Sequence, residues 1–234
     1  MPSNKELAVA GFYDGIYLFY ESANSFLTLG LDRFWRAATA RTALEAAPGA
    51  RSALDLCCGT GDFLAALRGV YGPAIRLAGA DLSGPMLSLA EKKNTGAVLV
   101  RAEAKELPFP DATFDLATIS FATRNLNLDR EKLLAALKEF RRVLKPGGVF
   151  LNLETTQPPN PLLRLLMHAY VRAIIALLNL ISPKSRASYT FLRNTILNFY
   201  SAPDFSALLL EAGFTSPSYK ILFPGAVAVH TATR

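Results

Sequence analysis

A glycine-bracketed turn is the part of this sequence with the clearest capacity for binding chemistry. Gly59-Thr60-Gly61 follows a mostly apolar segment at residues 53–58 and precedes a helical pattern at residues 63–67. Glycine permits a tight turn and a close approach of the backbone to a ligand. A helix that begins there presents free backbone N–H groups, which bind polar ligand atoms. The stretch predicts a nucleotide-type binding turn, although similar turns also serve only to pack a helix against a sheet.

Acidic residues around this turn narrow the class of ligand. Asp81 comes twenty residues after Gly61, at the expected end of a second strand, where a carboxylate accepts hydrogen bonds from a ribose diol. Asp55 lies four residues before Gly59. The third glycine of the dinucleotide fingerprint is absent, because Leu64 stands in its place. This combination favours S-adenosylmethionine over a nicotinamide or flavin dinucleotide.

Polar residues also follow the third and fourth predicted strands. Glu103 and Ala104 come after the third strand, where a carboxylate and a backbone amide can contact an adenine edge. The fourth strand ends at Ser120, and Arg124 and Asn125 follow it. Because ligands of open α/β sheets bind at the carboxyl ends of strands, we expect these residues to lie near the glycine turn.

Strands and helices alternate along most of the chain, which predicts a doubly wound, mainly parallel sheet. The short turn at Pro224-Gly225 requires the last two strands, predicted at 219–223 and 226–230, to be antiparallel. The expected fold is therefore α/β, a Rossmann-like class I methyltransferase sheet of seven strands with N-terminal helices and a helical insert after strand 5. We expect one domain with four parts, which are an N-terminal helical lid (1–45), a donor-binding core (50–157), a helical insert (158–200) and a closing helix with a strand pair (201–234).

The last predicted parallel strand follows an amphipathic helix. Apolar residues recur at helical spacing over 129–144, after which Pro146-Gly147-Gly148 ends the helix and a strand is predicted at 149–153. The only two cysteines, Cys57 and Cys58, are adjacent, so they cannot close a disulfide loop and lack the spacing of metal ligands. We therefore expect a cytoplasmic protein without a metal site, and we find no secretory leader pattern.

Charge and aromatic content are unevenly distributed. Residues 161–234 hold seven Lys and Arg against two Asp and Glu, whereas residues 1–160 hold 18 against 17. The apolar segment 162–181 carries Arg164, His168 and Arg172 at four-residue spacing, so we expect it to lie on an anionic membrane surface and not to cross the bilayer. Residues 12–36 contain eight of the 24 aromatic residues, which form either a satellite core or the wall of a site for a flat apolar substrate. These eight are Phe12, Tyr13, Tyr17, Phe19, Tyr20, Phe26, Phe34 and Trp35.

From about Tyr20 onward the sequence resembles the ubiquinone/menaquinone biosynthesis C-methyltransferases. The C-terminal motif of that family is present as residues 142–148, Arg-Val-Leu-Lys-Pro-Gly-Gly, followed by Phe150, Leu153, Glu154 and Thr156. Its N-terminal motif is looser, with Tyr20, Asn24, Gly30, Arg33 and Trp35 in register. Asp32 stands where the family has histidine, which reverses the charge available at that position.

The resemblance implies methyl transfer from S-adenosylmethionine to a ring carbon of a prenylated quinol, either demethylmenaquinol or 2-polyprenyl-6-methoxy-benzoquinol. It implies that Arg124, Asn125 and Tyr189 line the quinol side. It also implies donor contacts from Asp55, Gly59, Thr60, Gly61, Asp81, Glu103, Ala104 and Ser120. The family motifs do not distinguish between the two rings, and a homodimer is one assembly that the resemblance allows.

Carbon methylation of a phenol requires that the hydroxyl proton be removed or shared, since a phenol with a pKa of ~10 is rarely ionised at neutral pH. We expect Arg124 to stabilise the developing oxyanion, with water, Asp81 or Glu154 accepting the proton. His168 and His230 are the only histidines; we expect His168 to be an interfacial or packing residue and His230 to be structural.

Three other functions are weighed against this one. A nucleic-acid methyltransferase is disfavoured, since residues 120–122 lack the Pro-Pro-aromatic motif of amino-group methylation and no Pro-Cys pair is present. A methyltransferase for another small hydrophobic substrate and a non-catalytic donor-binding subunit of a quinone-biosynthesis complex both remain alternatives.

Overall fold

The computed structural model describes residues 27–127 and 129–234. Six of the aromatic residues predicted to form part of the substrate wall, from Phe12 to Phe26, therefore lie outside the described residues, as does most of the predicted lid. Of that lid the structure shows helix α1, Leu31–Ala46.

Seven strands form a single sheet, in the order β3-β2-β1-β4-β5-β7-β6. Strands β1 to β5 are parallel to one another, and β7 is antiparallel to both β5 and β6. This arrangement confirms the expected fold, including the antiparallel ending. The strands are β1 (Ser52–Leu56), β2 (Arg76–Asp81), β3 (Val98–Arg101), β4 (Phe114–Ser120), β5 (Leu144–Thr155), β6 (Thr215–Leu222) and β7 (Val227–Thr233).

Helices cover both faces of this sheet, as right-handed connections between parallel strands require. The described helices after α1 are α2 (Asp62–Tyr71), α3 (Gly84–Lys92), α4 (Thr123–Leu126), α5 (Arg130–Val143), α6 (Pro161–Ile181), α7 (Arg186–Leu197) and α8 (Ala202–Glu211). Helix α5 begins after Asp129, whose carboxylate accepts a hydrogen bond from the N–H of Glu131 at 2.9 Å. Such an N-cap satisfies one of the free amides at the start of a helix.

Strand β5 is longer than the sequence predicts. It begins at Leu144, immediately after α5, and not at residue 149. The Pro146-Gly147-Gly148 segment stays within the strand because its backbone finds partners on the last residue, where the N–H of Arg234 donates to the carbonyl of Gly148 at 2.9 Å. The register against β4 is irregular at this point, which accommodates the extra residues.

Two apolar layers hold the sheet between its helices. On one side Phe140, Phe150 and Phe214 pack ring against ring, with neighbouring centroids 5.1–6.0 Å apart. On the other side Trp35 of α1 and Phe63 of α2 belong to the second buried cluster. Burial of each such side chain contributes about 1.5–3 kcal/mol to folding. The layers fix the carboxyl ends of β1, β2 and β4 relative to α1.

The helical insert forms a small cluster of its own. Val171 and Ile175 of α6 pack against Tyr189 and Ile196 of α7. By length and composition alone α6 is apolar enough to cross a membrane. Only 17% of its most apolar window is buried inside the protein, and its buried residues pack against α7. One of the three polar residues spaced along this helix contacts the chain before it, because Nε of Arg164 donates a hydrogen bond to the carbonyl of Pro158 at 3.0 Å.

Candidate functional site

The glycine turn joins β1 to α2 at the carboxyl edge of the sheet. Gly59 and Gly61 have φ values of +53° and +79°, a region that favours glycine, and the non-glycine residue Cys57 also has a positive φ of +51°. Asp81 holds the turn in place. One oxygen of its carboxylate accepts the N–H of Gly59 at 2.8 Å, and the other accepts the N–H of Ser83 at 2.9 Å.

The structure leaves open space beside Gly59 in this turn. A Cβ atom built on Gly59 meets no atom within 4 Å, whereas one built on Gly61 lies 3.0 Å from the Cβ of Ala90 on α3. Gly61 thus serves helix packing, and Gly59 faces open space. The buried Ser120 hydroxyl at the end of β4 has no hydrogen-bond partner within the described residues. Ribose contacts by Asp81 stay a prediction.

The side chains of Asp55 and Thr60 serve the sheet and the turn. Asp55 is buried in β1 and accepts a hydrogen bond from the hydroxyl of Thr118 at 2.8 Å. Burial raises the pKa of Asp55 to about 7. The hydroxyl of Thr60 lies 3.3 Å from a carboxylate oxygen of Asp62 and 3.4 Å from Nζ of Lys93. Donor contacts by these two residues stay predictions.

Glu103 and Ala104 lie at the same sheet edge as Asp81. The N–H of Ala102 donates to the carbonyl of Asp81 at 3.0 Å, which places the end of β3 beside the end of β2. Glu103 forms an ion pair with Lys105, with 2.6 Å between Oε1 and Nζ. The topology therefore brings the predicted adenine-binding residues next to the predicted ribose-binding carboxylate, as the sequence analysis expects.

A cavity of about 360 Å³ lies between α1, α6, the segment after β4 and the β6–β7 turn. Its apolar wall includes Leu27, Leu29, Leu31, Trp35, Phe121, Leu163, Leu166, Met167, Tyr170, Val171, Ile196, Pro224, Ala226 and Val227. Its charged residues are Asp32, Arg36 and Arg124. Trp35 anchors α1 to the hairpin, because its indole N–H donates to the carbonyl of Phe223 at 2.7 Å. A site of this size and polarity suits an apolar organic ligand.

Phe121 lies on the cavity wall, next to a predicted donor residue in the chain. It directly follows Ser120, has a positive φ of +55°, and donates its N–H to the carbonyl of Leu153 at 2.8 Å. Its ring faces Trp35 at a centroid distance of 6.0 Å and lies 5.5 Å from the guanidinium carbon of Arg36. The predicted donor residue Ser120 is therefore the chain neighbour of a residue on the cavity wall.

Arg124 reaches the cavity from within a buried ion pair. Its Nη1 lies 2.7 Å from Oε1 of Glu154, and its backbone N–H donates to Oε2 at 3.1 Å. The two side chains are 4% and 1% exposed. Glu154 also accepts hydrogen bonds from the N–H and hydroxyl of Thr155. The arrangement holds a cation on the cavity wall and fixes its position.

The structure does not bring all three predicted quinol-side residues together. Arg124 lines the cavity, but Asn125 and Tyr189 are not among the residues that line it. Tyr189 is buried in the insert cluster with Val171 and Ile175. Asn125 is the next residue of the same helical turn. Its side chain therefore points in a different direction from that of Arg124 and does not line the cavity.

Sequence reasoning missed Arg36, which pairs with Asp32 inside the cavity wall. The available signal was their i, i+4 spacing on a helix. Both histidines form hydrogen bonds within the protein. His168 Nε2 lies 2.8 Å from Oε1 of Gln157, and His230 Nε2 lies 3.0 Å from the carbonyl of Ala202. Burial lowers the pKa of His230 to about 4.

The sheet order, the antiparallel last strands and the glycine turn with its carboxylate define a class I S-adenosylmethionine-dependent methyltransferase. Solved structures share this fold, including S-adenosylmethionine-dependent methyltransferases from Thermotoga maritima (20% identity, TM-score 0.62, 93% of this chain and 98% of that one) and Archaeoglobus fulgidus (19%, 0.61, 86% and 94%). More particularly, the chain belongs to the ubiE/COQ5 methyltransferase family, whose sequence model matches residues 1–234.

Curated relatives match over almost their whole length. The demethylmenaquinone methyltransferase of Bacillus licheniformis is 36% identical over 233 residues, which cover 98% of each chain. The proteins of the same name from Lactiplantibacillus plantarum and Staphylococcus aureus are 36% and 33% identical and cover 97% of this chain, with 95% and 93% of their own lengths matched. The protein is therefore an enzyme that uses S-adenosylmethionine as its methyl donor.

Proposed function

We propose that this enzyme methylates a ring carbon of a prenylated quinol, with demethylmenaquinol as its substrate. The observation that carries the proposal is the apolar cavity, whose wall includes Phe121, the residue directly after the proposed donor residue Ser120. Its walls suit a flat ring and the first units of a prenyl tail, and its few charged groups suit a hydroxyl. The names of the relatives support the naphthoquinol ring in particular.

The proposed donor site comprises the residues that the sequence predicts at the sheet edge. Gly59 offers close backbone approach, the start of α2 offers backbone N–H groups, Asp81 is proposed to accept hydroxyls, and Ser120 offers its buried hydroxyl. The remaining proposed contacts come from Asp55, Thr60, Gly61, Glu103 and Ala104. When bound, the donor supplies an electrophilic methyl group on a sulfonium.

Arg124 is proposed to stabilise negative charge on the quinol oxygen. Its guanidinium is fixed by Glu154 on the cavity wall, so it needs no reorganisation when charge develops. Removal of one such donor typically lowers turnover by ~100-fold or more. Positioning of the ring carbon against the methyl group by the cavity walls supplies much of the remaining acceleration.

The test uses purified enzyme, isotopically labelled S-adenosylmethionine and each demethyl quinol in turn, with the label located by mass spectrometry. We expect label on the ring carbon of demethylmenaquinol. Transfer only to the benzoquinol would correct the ring, and absence of transfer to any quinol would refute the proposal. Arg124→Ala should keep donor affinity near wild type while turnover falls by at least ~100-fold. The paired variant Arg124→Met with Glu154→Gln controls for the unpaired buried carboxylate.

We also propose that the insert docks on the cytoplasmic face of an anionic membrane. Residues 158–200 contain five Lys or Arg and no acidic residue. On α6, Leu162, Leu165 and Ile181 are between 63% and 68% exposed. Apolar side chains beside basic ones are the features of an interfacial helix. The same surface lies next to the cavity, to which α6 contributes Leu163 and Leu166, so a membrane-held tail could enter directly.

Liposome flotation tests this docking. Wild-type protein should float with vesicles that contain anionic phospholipid, and Leu165→Glu should weaken the binding by at least ~10-fold. Val98→Glu is the matched control, because Val98 is equally exposed on β3, at the opposite edge of the sheet. Wild-type protein that stays unbound with and without anionic lipid would contradict the proposal. A homodimer stays a prediction.

A further inference from the structure

We infer that Asp32 accepts the hydroxyl proton of the acceptor, which makes it a catalytic residue of this enzyme. The inference rests on the proposed function, because it requires a phenolic substrate in the cavity. Among the cavity-lining residues that the structure describes, Asp32 is the only acid. It comes from α1, on the wall shared with Arg36 and Trp35.

The surroundings of Asp32 suit a proton acceptor. Its Oδ2 lies 2.6 Å from Nη1 of Arg36, and its Oδ1 accepts a hydrogen bond from the hydroxyl of Thr28 at 3.1 Å. The residue is only 6% exposed. A carboxylate has about four lone-pair sites, so these two contacts leave acceptor capacity for a hydroxyl in the cavity. Arg36 places a cation directly against one carboxylate oxygen and leaves the other side of the group towards Thr28.

The acids expected from the sequence are committed elsewhere. Glu154 accepts four hydrogen bonds from Arg124 and Thr155 and is not among the lining residues. Asp81 lies at the donor turn, where its two oxygens hold the N–H groups of Gly59 and Ser83. His230 is buried against Ala202 in the sheet, away from the cavity. Asp32 is the group that remains beside the substrate.

Two cations on the cavity wall make the transfer feasible. The ordinary pKa values of an aspartate and a phenol differ by about 6 units, so a free phenolate would form too rarely beside Asp32 alone. Arg36 and Arg124 both line the cavity and stabilise negative charge on the oxygen. The proton therefore moves to Asp32 while the ring carbon forms its new bond, and not in a separate earlier step.

The proton and electron balance of the step is complete. The O–H bond breaks towards Asp32, its electron pair enters the ring, and the ring carbon bonds to the methyl carbon as the carbon–sulfur pair leaves with sulfur. The ring carbon then loses its hydrogen as a proton to water. The oxygen recovers its proton from Asp32, which is again a carboxylate. One proton is released to solvent for each methyl group transferred, and no oxidant or metal is required.

The experiment compares wild-type enzyme with Asp32→Asn and Asp32→His in single-turnover methyl transfer across pH. Asparagine keeps the shape but accepts no proton, so its rate should fall by ~100-fold or more, with donor affinity unchanged by calorimetry. Histidine is a base with an ordinary pKa about 2.6 units above that of aspartate, so Asp32→His should recover at least a tenth of the rate. The acid limb of its pH–rate profile should move upward by about 2 units.

The pH profile distinguishes catalysis from a merely structural role. If Asp32 only anchors Arg36, both variants lose rate equally and neither acid limb moves, which overturns the inference. An Asp32→Asn enzyme as fast as wild type also overturns it while the proposed function stands. A wild-type enzyme that methylates no quinol refutes the proposed function and the inference with it. Should Asp32→Asn not fold by circular dichroism, Asp32→Glu replaces it and should retain the wild-type acid limb at reduced rate.

Discussion

Substitution of the two turn glycines should separate donor binding from stability. Gly59→Ala places a methyl group in open space, so its folding cost is the left-handed backbone alone, about 1–2 kcal/mol. Gly61→Ala has the same backbone cost and also brings its Cβ to 3.0 Å from the Cβ of Ala90, an overpacking of about 1–3 kcal/mol. The expected totals are about 1–2 kcal/mol for the first variant and about 2–5 kcal/mol for the second.

The two variants should differ in melting temperature, and the variant with the smaller loss of stability should show the larger loss of donor affinity. For a chain of this length 1 kcal/mol lowers Tm by about 2–4 °C, so we expect losses of about 2–8 °C for Gly59→Ala and about 4–20 °C for Gly61→Ala. The open space beside Gly59 is where the donor is proposed to lie. Gly59→Ala should therefore weaken S-adenosylmethionine binding at least ~10-fold, or about 1.4 kcal/mol, despite its smaller effect on stability.

Differential scanning fluorimetry and isothermal calorimetry measure the two quantities separately. The matched control is Gly147→Ala, since Gly147 also has a positive φ of +76° with open space around it but lies near the amino end of β5. It should lower Tm as Gly59→Ala does and leave donor affinity unchanged. Wild-type donor affinity in Gly59→Ala would refute the argument that this turn contacts the donor.

The remaining predictions concern buried charges. Arg124→Ala leaves the Glu154 carboxylate buried without its cation and should lower the free energy of unfolding in urea by about 3–5 kcal/mol, whereas Arg124→Met with Glu154→Gln should recover most of that loss. Burial raises the pKa of Asp55 to about 7, so the contribution of Asp55 to the free energy of unfolding falls as pH rises from about 4 to 7. Burial lowers the pKa of His230 to about 4, so the contribution of His230 rises as pH increases from about 4 to 6.5. The two contributions, each about 3–4 kcal/mol in total, change in opposite directions with pH. The free energy of unfolding should therefore increase with pH over that range in Asp55→Asn, where the His230 contribution remains. It should decrease in His230→Gln, where the Asp55 contribution remains. Parallel slopes in both variants would contradict this assignment. Trp35→Phe removes the hydrogen bond to the Phe223 carbonyl and should cost about 1–2 kcal/mol in the same urea assay, with donor binding unchanged.

The geometry of the candidate donor half was predictable because its determinants are local in sequence. Gly59 and Gly61 are required by backbone conformation within a few residues, and Asp81 by its place at the end of a strand. Parallel strands bring such ends to one edge whatever the details of packing. The antiparallel ending followed from the short turn at residues 224–225.

The acceptor half depends on contacts between distant segments, which a single sequence does not encode visibly. Trp35 meets Phe223 across 188 positions, and Arg124 pairs with Glu154 across 30. Tyr189, expected from family likeness at the substrate, is instead committed to the core of the insert. The early start of β5 likewise depends on pairing with Arg234, far along the chain.

The position of β7 has a consequence for how the enzyme becomes functional during synthesis. This strand is made after all the others, yet it inserts between β5 and β6, and its first residue helps to enclose the cavity. A nascent chain that ends before residue 227 can assemble the donor turn but leaves β5 as an open edge, a form of backbone that readily pairs with other chains. The cavity is therefore complete only when β7 has taken its place between β5 and β6.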